Sequence, residues 1–535
     1  MNGAKPIDAV PMTALRPLRP RQQDVINDLR AAFASGKRAP MVQAPCGFGK
    51  TVLAAHVVHG ARLKKIRVGF AVPALSLIEQ TFDRMRENGF DPADMGILQG
   101  SHPWYRPHAP IQICSAQTVD RRGWPNIDLL VIDEAHLRFK VYETWTGKKI
   151  GLSATPWSKG LGLHFDTLIK GPSDQELIDD GMLSQFKVFA PSHPDLAGVE
   201  TRETANGRDY VESQLGERMS KPELVADAVK TWLERGRGQP TLCFAVNRAH
   251  AALLAERFSA AGVRTGYVDA FTPREDRDEM GRKLGAGELG VVVNIGCLTT
   301  GVDWIVRCLI LCRPTKSEIL FKQILGRCLR PEYADGFDLN SREGRLAAMA
   351  AGPKPFATIL DHSDTHLRLG MVTDIDHDEL HDGKITNSSK ADDEEREERL
   401  PRECRDCAGL IPPGASECPC CGAVQRRASN VAEKAGELAE LKPGAKKAKR
   451  KSGEPVIEFL RGLDKSDLYA QLAYIADERG RSSGWVAHKY REVHDVWPTR
   501  VDRERRTEPS NTLRNWVRSR DIAWARSQPQ REDAA

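Results

Sequence analysis

Short, wholly apolar runs alternate with longer amphipathic ones through roughly the first 370 residues. Ala39 to Val42, Ile66 to Val72, Ile111 to Ser115, Leu129 to Ile132 and a run from Ile150 each have the length and unbroken apolarity of a buried strand. Between them, Val25, Ile26, Leu29 and Phe33 share one face of a predicted helix, an Ala/Val-rich run after Thr51 can be helical, and Leu75 to Met85 has helical periodicity. This is the βαβ rhythm of a mostly parallel sheet flanked by helices, and it predicts a first domain over 15–180. Residues 191–220 interrupt it. They are polar and poorly periodic until their helical end, so Asp195, Arg202 and Arg208 are expected in a surface connection. The rhythm then resumes with strands at Thr241 to Val246, near Val263 to Asp269, Gly290 to Ile295, Cys308 to Cys312 and Ala357 to Leu360, and a helix over Ala249 to Phe258. A second α/β domain over 181–372 follows from that series.

Beyond 372 the pattern changes. Residues 373–400 end in ITNSSKADDEEREERL, acidic and almost free of apolar residues, and are expected to be a linker. A basic linker covers 426–454, with KPGAKKAKRK at its centre. Such a run can hold a polyphosphate backbone by counterion release without reading sequence. Residues 455–527 are helical by pattern, with Ile457, Phe459, Leu460, Leu463, Leu468 to Ile475, Trp485, Val486, Tyr490, Trp497, Leu513, Trp516 and Val517 as the expected core. Arginines at 500, 503, 505, 506, 514, 518 and 520 are expected to form a basic face, for a DNA junction or a protein partner.

Composition narrows this little. The 535 residues suffice for two cores and something extra, and a net charge of +5 permits nucleic acid without demanding it. The N-terminal MNGAKPIDAVPMTALRPLRP has no apolar signal segment, and no run has bilayer-spanning length; a cytoplasmic protein with no membrane role is expected. Of twelve cysteines, seven are scattered singly, which suits a reducing compartment, and five crowd between 404 and 421. Cys404-x-x-Cys407 and Cys418-x-x-Cys421, ten residues apart, have the spacing of a four-thiolate zinc ribbon over 401–425, with Cys420 spare. Four cysteines leave no position for water, so this zinc is expected to be structural rather than catalytic.

The candidate chemistry sits at strand ends. APCGFGKT at 44–51 follows the first strand and opens a helix, the order of a phosphate-cradling loop, although Ala44 stands where Gly is usual. Cys46, Gly47, Phe48, Gly49, Lys50 and Thr51 would surround the phosphates of ATP, with Lys50 on the β- and γ-phosphates and Thr51 a magnesium ligand. Gln22 is either an adenine contact or a solvent-facing residue at a helix start. Asp133 and Glu134 end a buried strand: the first is placed for magnesium, the second for the attacking water. His136 either relays or caps the turn, and hydroxyls of Ser153 and Thr155 can bond it or the carboxylates. Gln323, Arg327 and Arg330, four and three apart, are expected on one helix face, where an arginine can reach the γ-phosphate from the second domain. Thr300 and Gly301 are candidates for strand phosphates, and Asp303 for ribose hydroxyls.

In this order LRPRQ, APCGFGKT, FAVPALSLIEQ, SAQT, DEAH, SATP, TLCFAVNRAHA, NIGCLTTGVDW and QILGRCLR resemble the motif series of superfamily 2 DEAD/DEAH-box helicases with a type III restriction/UvrB-like motor core. With the DHSD ending, the four-cysteine module and GWVAHKYREVHDVWP at 484–498, the chain is most similar to the RadD (YejH) family of DNA-repair ATPases and related phage helicases. The resemblance implies two tandem RecA-like domains with ATP between them, acting as a DNA helicase or translocase on single-stranded or forked DNA, with RNA still open. It also implies a strand path along Pro73, Ser115, Gln117 and Thr118 in the first domain and Thr299 and Thr300 in the second. Cys46 and Cys328 depart from the commoner pattern without removing a catalytic group. A translocase subunit of a restriction or defence system, and an ATP-gated DNA-structure-binding protein, are the alternatives.

Overall fold

The computed structural model describes residues 15–74, 77–99, 102–204, 207–298, 304–384, 400–424, 454–499, 501–510, 512–514, 516–518 and 520–521. The chain divides into two units, Met1–Ser429 and Asn430–Ala535.

The first unit holds two parallel sheets with helices packed on them, and both are RecA-like cores. Strands β1 (Pro40–Gln43), β2 (Val68–Val72), β3 (Met95–Leu98), β4 (Ile111–Ser115), β5 (Leu129–Asp133), β6 (Lys148–Ser153) and β7 (Thr167–Lys170) pair in the order β3-β4-β2-β5-β6-β1-β7. Every pairing is parallel, so helical crossovers cover both faces and the inner strands are apolar throughout. This order places the ends of β1, β5 and β6 side by side, and those of β2 and β4 further along the same edge.

The second sheet contains β8 (Phe186–Phe189), β11 (Thr241–Phe244), β12 (Thr265–Val268), β13 (Val291–Asn294), β14 (Cys308–Leu311) and β15 (Ala357–Asp361), in the order β12-β13-β11-β14-β15-β8 and again all parallel. The supposed surface connection is more structured than its polarity suggests. β9 (Thr201–Thr204) and β10 (Gly207–Tyr210) pair antiparallel, with Arg208 Nε donating to Thr201 Oγ1 at 2.8 Å. Tyr210 anchors them by packing with Leu215, Met219 and Val246, and buried Asp209 accepts from Thr315 Oγ1 and from the Lys316 amide. Two anchoring residues in a polar stretch are too few to register as periodicity.

The head of the expected acidic linker is packed, not free. Met371, Val372 and Ile375 join the main core, and Lys322 donates to the Ile375 carbonyl at 2.8 Å. Asp376 accepts from Gln43 on β1, and Lys170 on β7 pairs with both Asp376 and Asp378 at 2.7 Å. His377 meets Glu318 at 2.8 Å, and the Gly162 amide donates to the His381 carbonyl. Residues 371–384 therefore form a strap that touches both sheets. The acidic stretch 385–399 and the basic run 442–451 lie outside the described residues.

The cysteine module sits on the exposed edge of the second sheet. Its strands β16 (Arg402–Glu403) and β17 (Leu410–Ile411) pair antiparallel, Phe189 bridges Gly409, and the Ala190 amide donates to the Ala408 carbonyl. Arg235 stacks over Phe189 at 4.2 Å and donates to the Cys407 carbonyl, fastening the module beside β8.

The second unit is helical. Glu454–Arg461, Lys465–Glu478 and Ser483–His494 surround Leu460, Leu468, Leu472, Ile475, Val486, Tyr490, Val493, Leu513, Trp516 and Val517. Two expected core residues, Phe459 and Trp497, are exposed instead. The expected basic face is neutralised in part: Arg505, Arg506 and Arg514 pair with Asp467, Asp477 and Glu478 on the second of these helices, while Arg503 and Arg518 are exposed. Arg500 lies outside the described residues. No helix among the described residues is long and apolar enough to cross a membrane.

Helix Glu318–Cys328 ends at a buried lysine. Lys354, 2% exposed, donates to the carbonyls of Val306, Cys328 and Arg330 at 2.6, 2.5 and 2.6 Å. Lys354→Met is expected to leave these acceptors unpaired and to destabilise the unit by about 2–4 kcal/mol. Thermal unfolding checks this; an unchanged midpoint would show that water replaces the ammonium.

Candidate functional site

The loop 44–49 leaves β1 and enters the helix Lys50–Leu63 through Gly49, whose φ of +92° lies in the left-handed region. Phe48 is buried beneath the loop and anchors it. Gln22 is not solvent-facing: it is buried, its Nε2 donates to the Phe48 carbonyl at 2.7 Å, and its Oε1 accepts from the Arg19 amide. A Cβ at Gly49 would lie 2.6 Å from that same Nε2, so glycine is required for this contact as well as for the turn. Cys46 packs against the second sheet's helix Glu318–Cys328, where a Cβ at Gly326 would come 2.6 Å from its sulfur. Small residues at 46 and 326 thus allow loop and helix to touch.

Lys50 Nζ lies 3.1 Å from Glu134 Oε1. Burial works against the lysine's charge, but Glu134 and Asp133 outweigh it and hold the ammonium above its usual pKa. Burial also pushes Glu134 up, yet Lys50, with His136 and Arg327 beyond it, keeps this carboxylate below the usual range. Asp133 lacks such a direct cation, and burial beside the charge of Glu134 pushes it up to about 6. A buried acid in that position, with Thr51 across the loop, suits a divalent cation, which would take the place of its proton. Glu134 has a φ of +48°, an uncommon conformation for a residue with a Cβ, and aims its carboxylate at Lys50.

His136 connects the sheets. Its Nε2 is 2.9 Å from Gln323 Nε2, and its Nδ1 is 2.9 Å from Ser153 Oγ and 3.4 Å from Glu134 Oε2. The Gln323 amide nitrogen can only donate, so Nε2 accepts and Nδ1 carries the proton. Burial lowers His136 to about 4, which keeps the ring neutral and suited to this double role. Ser153 Oγ also accepts from the Thr155 amide. The Thr155 hydroxyl, expected to join the network, has no hydrogen-bond partner among the described residues.

Gln323 and Arg327 lie on the helix Glu318–Cys328, but Arg330 lies beyond it. Pro331 disfavours the helical conformation in the residue before it, so the chain leaves the helix and the expected three-residue face is reduced to two. Arg330 still stands within electrostatic reach of Cys46 in the loop, and burial lowers its pKa. Sequence reading missed the ion pair of Lys322 with Asp174 at 2.7 Å, both nearly buried, with the ammonium also over Trp157. The available signal was a lysine next to Gln323 inside the apolar-flanked FKQILG.

The proposed strand path is only partly presented to solvent. Ser115 is fully buried and caps helix Ala116–Arg122 by accepting from the Thr118 amide, and its hydroxyl meets that of Thr118 at 3.1 Å. Gln117 is exposed and donates to the Pro73 carbonyl at 3.3 Å. Thr299, Thr300 and Asp303 lie outside the described residues.

In the cysteine module all four expected sulfurs, of Cys404, Cys407, Cys418 and Cys421, lie within 4.8 Å of one another. Separations of 3.8 Å (Cys404 to Cys421) and 3.7 Å (Cys407 to Cys418) match the roughly 3.8 Å that tetrahedral Zn–S bonds of about 2.3 Å require. Cys420 turns away, toward the Val188 carbonyl on β8.

Comparison with known proteins agrees with this geometry. Residues 16–158 match the family "Type III restriction enzyme, res subunit", and residues 220–332 match "Helicase conserved C-terminal domain". Residues 16–158 and 220–332 thus resemble, in order, the two halves of a superfamily 2 helicase-type ATPase core of the kind found in restriction-enzyme helicases. It is 26% identical over 304 residues to a 51.5 kDa protein of a Lactococcus phage (isolate 7-9), covering 55% of this chain and 63% of that one. It is 28% identical over 355 residues to "Putative ATP-dependent helicase IRC3" of Saccharomyces cerevisiae, covering 59% and 50%. The chain thus spans between half and two thirds of the length of these relatives. Among solved structures, a fragment titled as a "putative HsdR subunit of a type I restriction enzyme" from Vibrio vulnificus YJ016 aligns with a TM-score of 0.47 and 19% identity, covering 66% of this chain and 65% of that one.

The purified protein is expected to hold about one zinc per chain, and Cys404→Ser or Cys421→Ser to release it, whereas Cys420→Ser retains it. Metal analysis of the three variants checks the assignment; full zinc in both of the first two would move the site elsewhere.

Proposed function

We propose that this chain is a nucleic-acid-stimulated ATP hydrolase that works as a DNA helicase or translocase, in DNA repair or phage DNA metabolism. The observation that carries the reading is the chain Glu134–His136–Gln323, which joins the proposed water-activating position of one core, through a fully buried histidine, to the Arg327-bearing helix of the other. Movement of one core against the other cannot leave Glu134 unaffected, and that dependence is what a motor needs.

The residues divide the work as follows. The loop amides and Lys50 bind the phosphates of ATP, and Gln22 keeps the loop in shape beneath the nucleotide. Asp133 and Thr51 would hold magnesium, which would supply positive charge to offset that of the β- and γ-phosphates. Glu134 orients water toward the γ-phosphate. Arg327, seconded by Arg330, meets the charge that spreads over the equatorial oxygens, a contribution of roughly 10³ or more in rate. Lys50 is paired to Glu134, so phosphates arriving at the loop compete for its ammonium and release the carboxylate to face water. Asp303 belongs to the ribose and Thr299 and Thr300 to the strand in this reading.

DNA as the track, and the finer kinship with RadD-type DNA-repair ATPases, rest on the motif series and the cysteine module. A restriction or defence translocase is the second reading, favoured by the res-subunit match over 16–158.

Lys50→Ala and Glu134→Gln are each expected to reduce ATP turnover to background while leaving nucleic-acid binding largely intact; normal turnover in either removes the assignment. Steady-state hydrolysis with single-stranded, duplex and forked DNA and with RNA, at fixed salt, is expected to rise about ten-fold or more on single-stranded or forked DNA. Stimulation by duplex alone, without strand release, would favour the restriction translocase. No stimulation by any polymer would overturn the motor reading.

A further inference from the structure

The loop after β12 is unusually well fixed for a surface loop. Asp269 Oδ1 accepts from the amides of Phe271 and Thr272 at 2.9 and 3.1 Å. Its Oδ2 receives both Nε and Nη2 of Arg248, at 3.0 and 2.7 Å. Arg277 clamps the other side by donating to the carbonyls of Asp269, Ala270 and Thr272. What this loop presents is Phe271, at 77% the most exposed large apolar side chain among the described residues. The Arg248 guanidinium lies 4.4 Å from its ring centroid.

An exposed phenylalanine on a mobile loop can fold down onto nearby apolar surface. Here the loop's hydrogen bonds oppose that collapse, and most of the ring is kept in water at a standing hydrophobic cost. Its place in the fold suggests what removes that cost. Arg248 and Asp269 follow the ends of β11 and β12, on the same edge from which β13 leads into residues 299–303. Three residues beyond Phe271, Arg274 pairs with Glu79 at 2.9 Å, and Glu79 lies on the helix Ile78–Glu87 that follows β2 and Pro73. The loop thus stands where the two cores meet, tied to the first by the Arg274–Glu79 pair. Arg248 is paired with Asp269, Arg274 with Glu79, and Arg277 is used on backbone carbonyls, so what the loop offers a ligand is a flat, fixed apolar ring rather than free positive charge, a setting that suits the face of a base.

We propose that Phe271 is a stacking platform for an unpaired base of the nucleic acid, with Arg248 backing the ring. The site rests on the motor reading and adds to it a grip on bases as distinct from phosphates. It takes single strands: in a duplex the faces of the bases are already stacked. Sequence tolerance follows, because every base offers a π-face.

The test uses the full chain as wild type, Phe271→Ala and Phe271→Trp. Direct binding of fluorescent dT20 and of an abasic strand of equal length is read by anisotropy, and unstimulated ATP turnover is measured alongside. The wild type is expected to bind dT20 about ten-fold or more tighter than the abasic strand. Phe271→Ala should lose that preference and Phe271→Trp keep it, while unstimulated turnover and the salt dependence of dT20 binding stay unchanged in both. Equal preference in the wild type and Phe271→Ala would overturn the proposal, as would a loss confined to the salt slope, which reports phosphate contacts. Because binding is read without turnover, failure of DNA to stimulate hydrolysis would sink the motor reading while the stacking result still stands or falls by itself.

Discussion

A neutral histidine that accepts from one core and donates within the other is the contact on which the rest of the arrangement depends. His136 has no exposed surface, and a charged ring there would be costly to bury; neutrality lets Nε2 accept from Gln323 while Nδ1–H serves Ser153 and Glu134. The geometry around it is tight. Gly326 must lack a side chain for Cys46 to fit, and the left-handed Glu134 turn aims its carboxylate at Lys50. Position, protonation state and the small residues nearby are therefore one constraint, since each fails without the others.

The same interface buries charge elsewhere, and each burial has a partner. Lys322 meets Asp174 and the Ile375 carbonyl, and Lys354 satisfies three carbonyls where the helix Glu318–Cys328 ends. An unpartnered ammonium at either place would be far more costly than the pair. These contacts hold the helix bearing Gln323 and Arg327 from both sides. The strap 371–384 adds hydrogen bonds to β1 and β7, so the segment leaving the second core is bound to the first.

Sheet edges explain the cysteine module's position. β8 is the outer strand of the second sheet, and an uncovered edge presents unpaired backbone groups. The module covers part of it through the Phe189–Gly409 bridge, with Arg235 stacked on Phe189. Zinc at its four sulfurs would hold a module with almost no apolar core of its own, in which Ile411 packs among the cysteines while Leu410 is buried against the main core.

Local pattern determined a great deal by itself. Apolar runs of strand length located β1, β2, β4, β5, β6, β11, β13, β14 and β15 to within about two residues, because buried parallel strands must be apolar on both faces. The glycines, Lys50, the adjacent carboxylates and the paired cysteines were legible because their chemistry requires fixed short spacings. Edge strands β7 and β8 and the polar hairpin β9–β10 were not, since half-exposed strands carry no such signature, and β3, though buried, is a four-residue MGIL run too short to stand out. Nor could spacing show that Pro331 detaches Arg330 from the helix, that Thr155 leaves its hydroxyl unbonded, or that Arg505, Arg506 and Arg514 in the tail are spent on its own acids. Those outcomes were decided by the tertiary structure, because they depend on which groups separated by tens to hundreds of residues arrive within about 3 Å of one another, a distance at which a hydrogen bond forms or a polar group is left without one.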